Sequence, residues 1–380
     1  MSVRRCSGLG PTENGAEAIS GIDVADGLIT VVAWRSSAER NDGGGKRLHA
    51  IRSALETLGL PHEIELIGPS AGTGRAIAED GLQALKRRYL PMPLRARYKG
   101  EMRPLPNAVA RVSLVPVANR WATMGSGISW IDLPDLWSAY AKRHASGQTG
   151  GAKLSASLQG ALWNRRERRE TRRADIVTVA SCADLHVSSQ SIWLPTPTID
   201  RASLMRRNPR TIERIQCAGF LANFDYPPNR EAYETLVQQW LPTLRSRGVD
   251  VVVAGWGSQR LQPAPGIELL GPVDTVDEFY HRIDFALSPV SLGGGMKVKV
   301  VEALSRDIPV IGTLHSRDGL PESLNPGITI WDDFAGNASW IANSPLSVES
   351  VAQAIDRFTL ESFTEEIAAI GVLDREVGPS

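Results

Sequence analysis

Cysteine, net charge and long apolar runs are all scarce in this chain of 380 residues. Its three cysteines, Cys6, Cys182 and Cys217, are widely scattered, which argues against a disulfide framework and against a cysteine metal cluster. No apolar run reaches the roughly 18 residues that a membrane span requires. Residues 1–10 also lack the apolar core of a signal peptide. These absences predict a cytoplasmic protein with free thiols.

The sequence also lacks pairs of histidines spaced to bind a metal and motifs that bind nucleic acid. Six histidines are present, and none forms a His-x-x-x-His or similar ligand pair. The sequence therefore requires no metal. It has no basic stretch interleaved with aromatic residues and no DNA-reading motif, so nucleic acid is not expected as a partner.

The formal net charge of +0 hides an asymmetry along the chain. Residues 1–200 carry 26 Lys and Arg against 19 Asp and Glu, whereas the remainder carries 16 against 23. Six arginines share one arc of a helix predicted from about residue 160 to 173. They are Arg165, Arg166, Arg168, Arg169, Arg172 and Arg173. This face is either solvated or meets a phosphate-rich acceptor or membrane surface.

Length and pattern together predict two α/β domains, because 380 residues exceed one typical core. Apolar strand runs alternate with helical patterns, which is typical of parallel sheets covered by helices. In the first domain, strands are predicted at Leu28–Trp34 and at 63–68, 109–117, 127–131 and 176–180. We expect a flexible tail over 1–26, an N-terminal domain over 27–200, a C-terminal domain over 210–345, and a helix and returning segment over 346–380.

Two glycine-rich stretches of the N-terminal half exclude common nucleotide motifs. Residues 41–47 are predicted to form a glycine loop after the first strand. The loop is not a Walker motif, because Arg47 follows the glycine-lysine pair where Ser or Thr would hold magnesium. Gly72-Thr73-Gly74 lacks the third glycine and the acidic partner of a dinucleotide fingerprint, which disfavours a dehydrogenase.

The segment 291–313 places a glycine turn, two lysines and a carboxylate at one predicted helix start. The glycines allow a ligand to approach the backbone closely, while Lys297 and Lys299 add positive charge. Glu302 lies about one turn after Lys299, where it can accept hydrogen bonds from ligand hydroxyls. The three glycines are Gly293, Gly294 and Gly295. This order predicts a site for a phosphorylated ligand, and the alternative is an ordinary connection with a glycine turn.

The same order, followed by Pro309-Val310-Ile311, resembles the donor-site signature of the family 4 glycosyltransferases. These are retaining enzymes of the GT-B fold, in which two Rossmann-like parallel-sheet domains face each other across a cleft. The resemblance implies that Lys297 and Lys299 bind the donor diphosphate and that Glu302 binds the ribose. Earlier in the chain, the segments 170–184, 219–232 and 251–257 also resemble family segments and occur in the same order as in the family.

Further roles follow only from that resemblance. Gly44 and Gly45 correspond to a glycine pair that faces the donor phosphates, and Asp318 lies where the family has a Glu-Gly-Leu turn. One departure is Gly294, because many members carry a glutamate at that place, eight positions before the ribose-binding one.

Asp132 and Asp135 end a predicted strand where the family places an acceptor-side catalytic group. Both are candidate catalytic residues. The alternative is that Asp135 caps the following helix.

The implied reaction is a metal-independent transfer of a hexose-type sugar with retention of configuration. The nucleotide-diphosphate sugar is the donor substrate, and no cofactor is implied. The acceptor stays open among a glycan, a lipid, a natural product and a peptide, as do peripheral membrane contact and the oligomeric state. Two rivals share the fold: a nucleotide-sugar 2-epimerase and a binding protein without catalysis.

Overall fold

The computed structural model describes residues 27–39, 43–67, 108–116, 118–124, 127–205, 216–291, 294–337 and 348–370. The described chain divides into two units. The N-terminal unit contains the described residues from 27 to 197 together with Gly294–Met296 and 360–370. The C-terminal unit contains the described residues from 198 to 291 and from 297 to 359. The predicted tail at 1–26 and the glycines at 72 and 74 lie outside the described residues.

The N-terminal unit is built on six parallel strands in the order β2-β1-β3-β4-β5-β6. The strands are β1 (Leu28–Trp34), β2 (His62–Ile67), β3 (Ala108–Ser113), β4 (Ile128–Leu133), β5 (Ile176–Val179) and β6 (Ser191–Trp193). The chain runs from β1 to β2 on one side and returns to β3 on the other, so the strand order reverses between β1 and β3. Ligands of open α/β sheets bind outside the carboxyl ends of strands at such a point.

Six described helices belong to this unit. They are α1 (Arg35–Glu39), α2 (Gly43–Thr57), α3 (Asn119–Ala122), α4 (Trp137–Ser146), α5 (Gly150–Thr171) and, from the end of the described chain, α13 (Leu360–Ala369). Helix α13 adds Phe363 and Ile367 to a core that also contains Ile51 and Leu55 of α2. The segment 360–370 therefore completes the hydrophobic core of a unit whose other residues lie far away in sequence.

Helix α2 corrects the predicted glycine loop at 41–47, because the helix already begins at Gly43. Glycine disfavours helix formation by about 1 kcal/mol per residue, a preference that tertiary packing overrides. Here Arg47 and Leu48, in the second turn, are buried, and Ile51 and Leu55 continue the buried face. This packing extends the helix back through the glycines.

The C-terminal unit holds a second parallel sheet in the order β12-β11-β10-β7-β8-β9. Its strands are β7 (Cys217–Leu221), β8 (Asp250–Ala254), β9 (Ile267–Gly271), β10 (Phe285–Ser288), β11 (Val310–Gly312) and β12 (Ile328–Ile330). The order reverses between β7 and β10. Phe220, Val253 and Trp240 lie in its core.

The helices of this unit alternate with the strands. They are α6 (Arg201–Met205), α7 (Pro227–Thr235), α8 (Leu241–Ser246), α9 (Val276–His281), α10 (Val298–Leu304), α11 (Trp331–Gly336) and α12 (Val348–Asp356). The predicted pair of parallel-sheet α/β domains is confirmed. Among the helices described in either unit, none is both long and apolar enough to cross a membrane.

Helices α4 and α5 form an antiparallel pair held by a buried carboxylate. Glu167 of α5, 3% exposed, accepts hydrogen bonds from the Ser138 backbone N–H at 3.1 Å and from the Ser138 hydroxyl. Trp163, one turn earlier, stacks on Trp137 at 6.1 Å between ring centroids. The N-cap position of α4 is Leu136, so Asp135 does not occupy the N-cap position of this helix.

Burial raises the pKa of Glu167 to about 7, and the nearby charge of Asp184 adds to the shift, while the Ser138 hydrogen bonds oppose it. A carboxyl group whose pKa is raised on folding stabilises the fold while it is protonated. That contribution is complete below the unfolded pKa of about 4.5 and is lost as the pH rises through about 7.

The unfolding free energy should therefore fall more steeply with pH in the natural protein than in Glu167→Gln. Between pH 5 and 8 we expect an excess loss of roughly 2 to 3 kcal/mol, because about two units of raised pKa are titrated in that range. Urea denaturation of both proteins at several pH values measures it. Parallel pH dependences would contradict the assignment.

Candidate active site

The two motif lysines lie at the start of α10 in the C-terminal unit. Strand β10 borders the point where the strand order reverses, and the chain runs from its carboxyl end into this helix. Lys297 occupies the N-cap position and Lys299 lies in the first turn. The positive charges are therefore placed where α/β sheets bind ligands.

Glu302 of the same helix is fully buried, and its Oε2 lies 2.7 Å from the half-exposed Lys299 Nζ. The Tyr280 hydroxyl donates to the Lys299 carbonyl at 3.3 Å and lies 3.5 Å from Glu302 Oε2. Burial, together with the charge of Glu302, raises the pKa of Tyr280 well above its usual value, so the phenol stays protonated and donates. Arg306 donates to the Glu302 carbonyl at 3.1 Å. Glu302 thus holds Lys299 in place from inside the fold.

Asp318 follows a short 3-10 turn, Leu314–Arg317, that is tied to the carboxyl ends of β10 and β11. Ser316 Oγ lies 2.8 Å from the hydroxyl of Ser288, the last residue of β10. A Cβ at Gly312, which ends β11, would lie 2.3 Å from Ser316 Oγ, so only glycine fits there. Asp318 Oδ2 accepts from His315 Nδ1 at 2.7 Å. The structure therefore places Asp318 at the same edge of the sheet as the carboxyl end of β10.

Gly294 and Gly295 belong to the N-terminal unit, where their backbone lies against Asp135. Gly295 has φ +59°, and a Cβ there would lie 1.8 Å from Asp135 Oδ1 and 2.6 Å from the Pro134 carbonyl oxygen. A Cβ at Gly294 would lie 3.2 Å from the same Asp135 oxygen. Both the left-handed backbone and the close carboxylate require glycine at 295. Gly293 lies outside the described residues.

Asp132, on β4, has a different environment from Asp135. It is fully buried and receives Arg47 Nη2 on Oδ1 at 2.5 Å and Arg47 Nε on Oδ2 at 2.9 Å. The Thr178 hydroxyl of β5 also donates to Oδ1 at 2.5 Å. In this structure Asp132 is the ion-pair partner of Arg47, and Asp135 alone of the two presents a carboxylate to solvent.

Gly44 and Gly45 lie in the first turn of α2, which follows the carboxyl end of β1. That strand borders the reversal of strand order in the N-terminal sheet. Gly44 is exposed and Gly45 is half-buried.

An exposed aromatic face beyond β8 was not identified from the sequence. Trp256 is 60% exposed, and its Nε1 donates to Asp225 Oδ2 at 2.8 Å. Arg260 pairs with the other oxygen of Asp225. A fixed, exposed indole at the carboxyl end of a strand is a surface on which a planar ring can stack. The sequence signal was the Gly255-Trp256-Gly257 turn after an apolar strand.

No three His, Cys, Asp or Glu side chains of the described segments are grouped so that they could hold a metal ion.

Comparison with known proteins finds a family similarity within the C-terminal unit. Residues 216–359 match the family model described as Glycosyl transferases group 1. The match contains Lys297, Lys299, Glu302 and Asp318, and it confirms the glycosyltransferase resemblance at this coarser level. A search of curated proteins finds no match to the sequence.

Solved structures show the fold of the whole described chain. HepE from Anabaena in complex with UDP is similar at 13% identity and a TM-score of 0.51, over 90% of this chain and 98% of that one. The lipopolysaccharide outer core galactosyltransferase WaaB shares 11% identity at a TM-score of 0.53, over 90% and 98%. A trehalose-6-phosphate synthase shares 12% at 0.51, over 91% and 99%. The predicted GT-B fold is confirmed.

If Asp132 is the internal counter-ion of Arg47, its replacement should destabilise the protein. Asp132→Leu leaves a buried guanidinium without its partner, which costs about 3–5 kcal/mol in similar cases. Arg47→Met combined with Asp132→Leu should restore part of this loss, because no buried charge remains. Urea denaturation measures both variants, and a fully stable Asp132→Leu would contradict the structural role.

Proposed function

We propose that this protein transfers a sugar from a nucleotide-diphosphate sugar to an acceptor, with retention of configuration and without a metal ion. The observation that carries the proposal is the position of Lys297, Lys299 and Glu302. The two lysines lie at the start of the helix after β10 and Glu302 lies one turn later, beside the reversal of strand order and within the segment that matches the glycosyltransferase family model.

The two lysines fit the charge that the reaction creates. When the bond between the anomeric carbon and the phosphate oxygen breaks, negative charge develops on the leaving diphosphate. Fixed cations at that position stabilise the transition state more than the ground state. Lys299 is half-exposed and can turn its ammonium group from Glu302 to a phosphate. Two ammonium groups supply positive charge that a divalent ion would otherwise supply.

The solved complex of HepE with UDP supports a nucleoside diphosphate as the ligand and makes UDP the first probe. In our proposal Lys297 and Lys299 bind the diphosphate. Glu302 accepts from the ribose hydroxyls once Lys299 has moved to the phosphate. Gly44 and Gly45 present backbone N–H groups to the phosphates, and Asp318 has a supporting role.

The carboxylate of Asp135 lies close to Gly294, the position at which this chain lacks the glutamate of many family members. The resembling pattern carries a glutamate where this chain has Gly294, and the Asp135 carboxylate lies 3.2 Å from the place of a Cβ there. A carboxylate therefore stands near that location, although it comes from another element. We propose that Asp135 orients the acceptor hydroxyl and stabilises the positive charge that develops on the sugar ring. Asp132, buried in its ion pair with Arg47, holds in place the end of β4 that leads to Asp135.

Replacing the lysines should weaken donor binding without unfolding the protein. We expect Lys297→Ala and Lys299→Ala each to reduce UDP affinity by roughly 1.5–3 kcal/mol, the range for a hydrogen bond to a charged group. Glu302→Gln should weaken UDP more than 2′,3′-dideoxy-UDP, because only UDP has the ribose hydroxyls. Isothermal titration calorimetry measures these affinities.

Lys142→Ala removes an exposed lysine of α4 and is the matched control. Wild-type UDP affinity in both motif variants would place the donor elsewhere. Equal losses for UDP and its dideoxy analogue in Glu302→Gln would instead reduce Glu302 to a residue that positions Lys299.

Asp135→Asn should lower the turnover of transfer by about 100-fold or more while UDP affinity stays within about two-fold, since the carboxylate acts in the chemical step. The turnover of both proteins is measured with a panel of nucleotide sugars and mixed acceptors, with and without excess EDTA. Transfer should persist in the chelator.

Three outcomes would contradict this assignment. Loss of activity in EDTA with recovery on adding magnesium or manganese would overturn metal independence. Conversion of the donor to its 2-epimer without an acceptor would identify an epimerase. Tight binding with no turnover of any donor would identify a binding protein.

A further inference from the structure

Helix α5 carries a row of exposed leucines along its first half. Leu154, Leu158 and Leu162 are 73%, 50% and 38% exposed. Their spacing of four residues places them one above another on the helix surface. Single exposed leucines are ordinary, but an aligned set forms an apolar strip that indicates an interaction surface.

The same row continues as arginines along the second half of the helix. At about 100° per residue, Arg165, Arg169 and Arg172 fall within the arc of about 80° that the three leucines span. All three arginines are exposed. We name these six residues the leucine–arginine row. It extends over roughly 27 Å at 1.5 Å per residue.

Two hollows lie among the arginines. One of about 330 Å³ is lined by Arg165, Arg169, Arg172 and Arg173. The other, of about 220 Å³, is lined by Arg120, Thr123, Arg169, Glu170 and Arg173. Next to Thr123 is Met124, whose apolar side chain is 55% exposed. These hollows exceed the roughly 30 Å³ of one water several times over and can admit a phosphate group.

Both acidic groups of the helix are buried, and Glu170, which lines the smaller hollow, is paired with Arg166. Glu167 and Glu170 are buried, at 3% and 5% exposure, and no exposed residue of α5 is acidic. Arg166 also turns inward, where its Nε pairs with Glu170 at 2.7 Å and its Nη2 donates to the Pro116 carbonyl at 3.1 Å. The predicted arc of six arginines therefore includes one, Arg166, that contacts the interior, and the exposed residues of the helix include no acidic side chain.

We propose that the leucine–arginine row docks this protein on the surface of a lipid bilayer that contains anionic headgroups. A bilayer interface supplies phosphates for the arginines and an acyl boundary for the leucines, along one continuous surface. A second copy of this chain fits less well, because antiparallel pairing would set leucines against arginines and parallel pairing would set arginines against arginines. A soluble phosphate compound would use the arginines and leave the leucines in water.

The test is co-sedimentation of the full chain with vesicles of phosphatidylcholine alone and with added phosphatidylglycerol. The natural protein should bind the anionic vesicles, less so at high salt, and bind the neutral ones weakly. Arg169→Glu with Arg172→Glu should reduce the anionic binding at least about ten-fold, since each arginine near such a surface contributes about five-fold. Leu154→Ala with Leu158→Ala should also weaken binding and leave its salt dependence in place.

The control is Arg230→Glu with Arg245→Glu, which changes the net charge equally through exposed arginines of the C-terminal unit. It should bind like the natural protein. All substituted positions are exposed, and circular dichroism verifies folding. UDP affinity should be unchanged in every variant, which separates this surface from the donor site.

Several results would overturn the proposal. One is failure of the natural protein to bind anionic vesicles. Another is unchanged binding in both row variants. Dimerisation that is lost in the leucine variant, without vesicle binding, would identify a second copy as the occupant. Stabilisation by inorganic pyrophosphate that depends on Arg169 and Arg172, without vesicle binding, would identify a soluble anion.

Discussion

The buried ion pair between Arg47 and Asp132 is the interaction on which the N-terminal unit depends. It joins α2 to β4, and Thr178 of β5 adds a hydrogen bond to the same carboxylate. Arg47 also donates to the Leu194 carbonyl at 2.7 Å, and its guanidinium lies 5.0 Å from the ring centroid of Phe363 in α13. Two charges removed from water tolerate no loss of a partner, so this pair fixes the relative positions of the elements that supply it. The anchored helix in turn positions its own first turn, with Gly44 and Gly45, after the carboxyl end of β1.

The C-terminal unit uses a buried carboxylate in another way. Tyr280 and Arg306 hold Glu302 in place inside the fold, and the Glu302 carboxylate pairs with the half-exposed Lys299. A lysine on a flexible stem loses much of its rotamer freedom when it binds an anion. The Glu302 carboxylate already restricts the ammonium group of Lys299, so less conformational entropy remains to be lost if Lys299 binds an anion nearby. Lys297, Lys299 and Glu302 thus lie within two turns at the start of α10, and Glu302 positions Lys299 directly.

Helix α5 shows how one element serves two environments. Its inner face carries Trp163 and Glu167, which contact α4, while its outer face carries exposed leucines and arginines. An all-polar outer face would suffice for a helix that meets only water. The apolar half of that face is the feature that a solvated surface does not explain.

Sequence alone determined the fold class and the location of the lysine–glutamate motif at 297–302. Apolar strands such as Leu28–Trp34 and Asp250–Ala254 are buried on both faces. Because strands of parallel sheets are covered on both faces, a continuous apolar run in the sequence predicts such a strand. The Lys297–Glu302 order is a local pattern, readable because its residues share one helix. Short strands such as Ser191–Trp193 and Ile328–Ile330 at the sheet edges were not predicted, since three residues carry too little pattern.

Tertiary structure alone decided the roles of residues whose partners lie far away in sequence. Asp132 and Asp135 look equivalent along the chain, but an arginine 85 residues away buries one and leaves the other exposed. Arg166 looks like its neighbours until Glu170 and Pro116 draw it inward. The glycines at 43–45 read as a loop, yet packing of the following turn makes them helical. Each case includes a contact with a residue far away in sequence, which no local pattern encodes, and at the glycines tertiary packing outweighs a local preference of about 1 kcal/mol per residue.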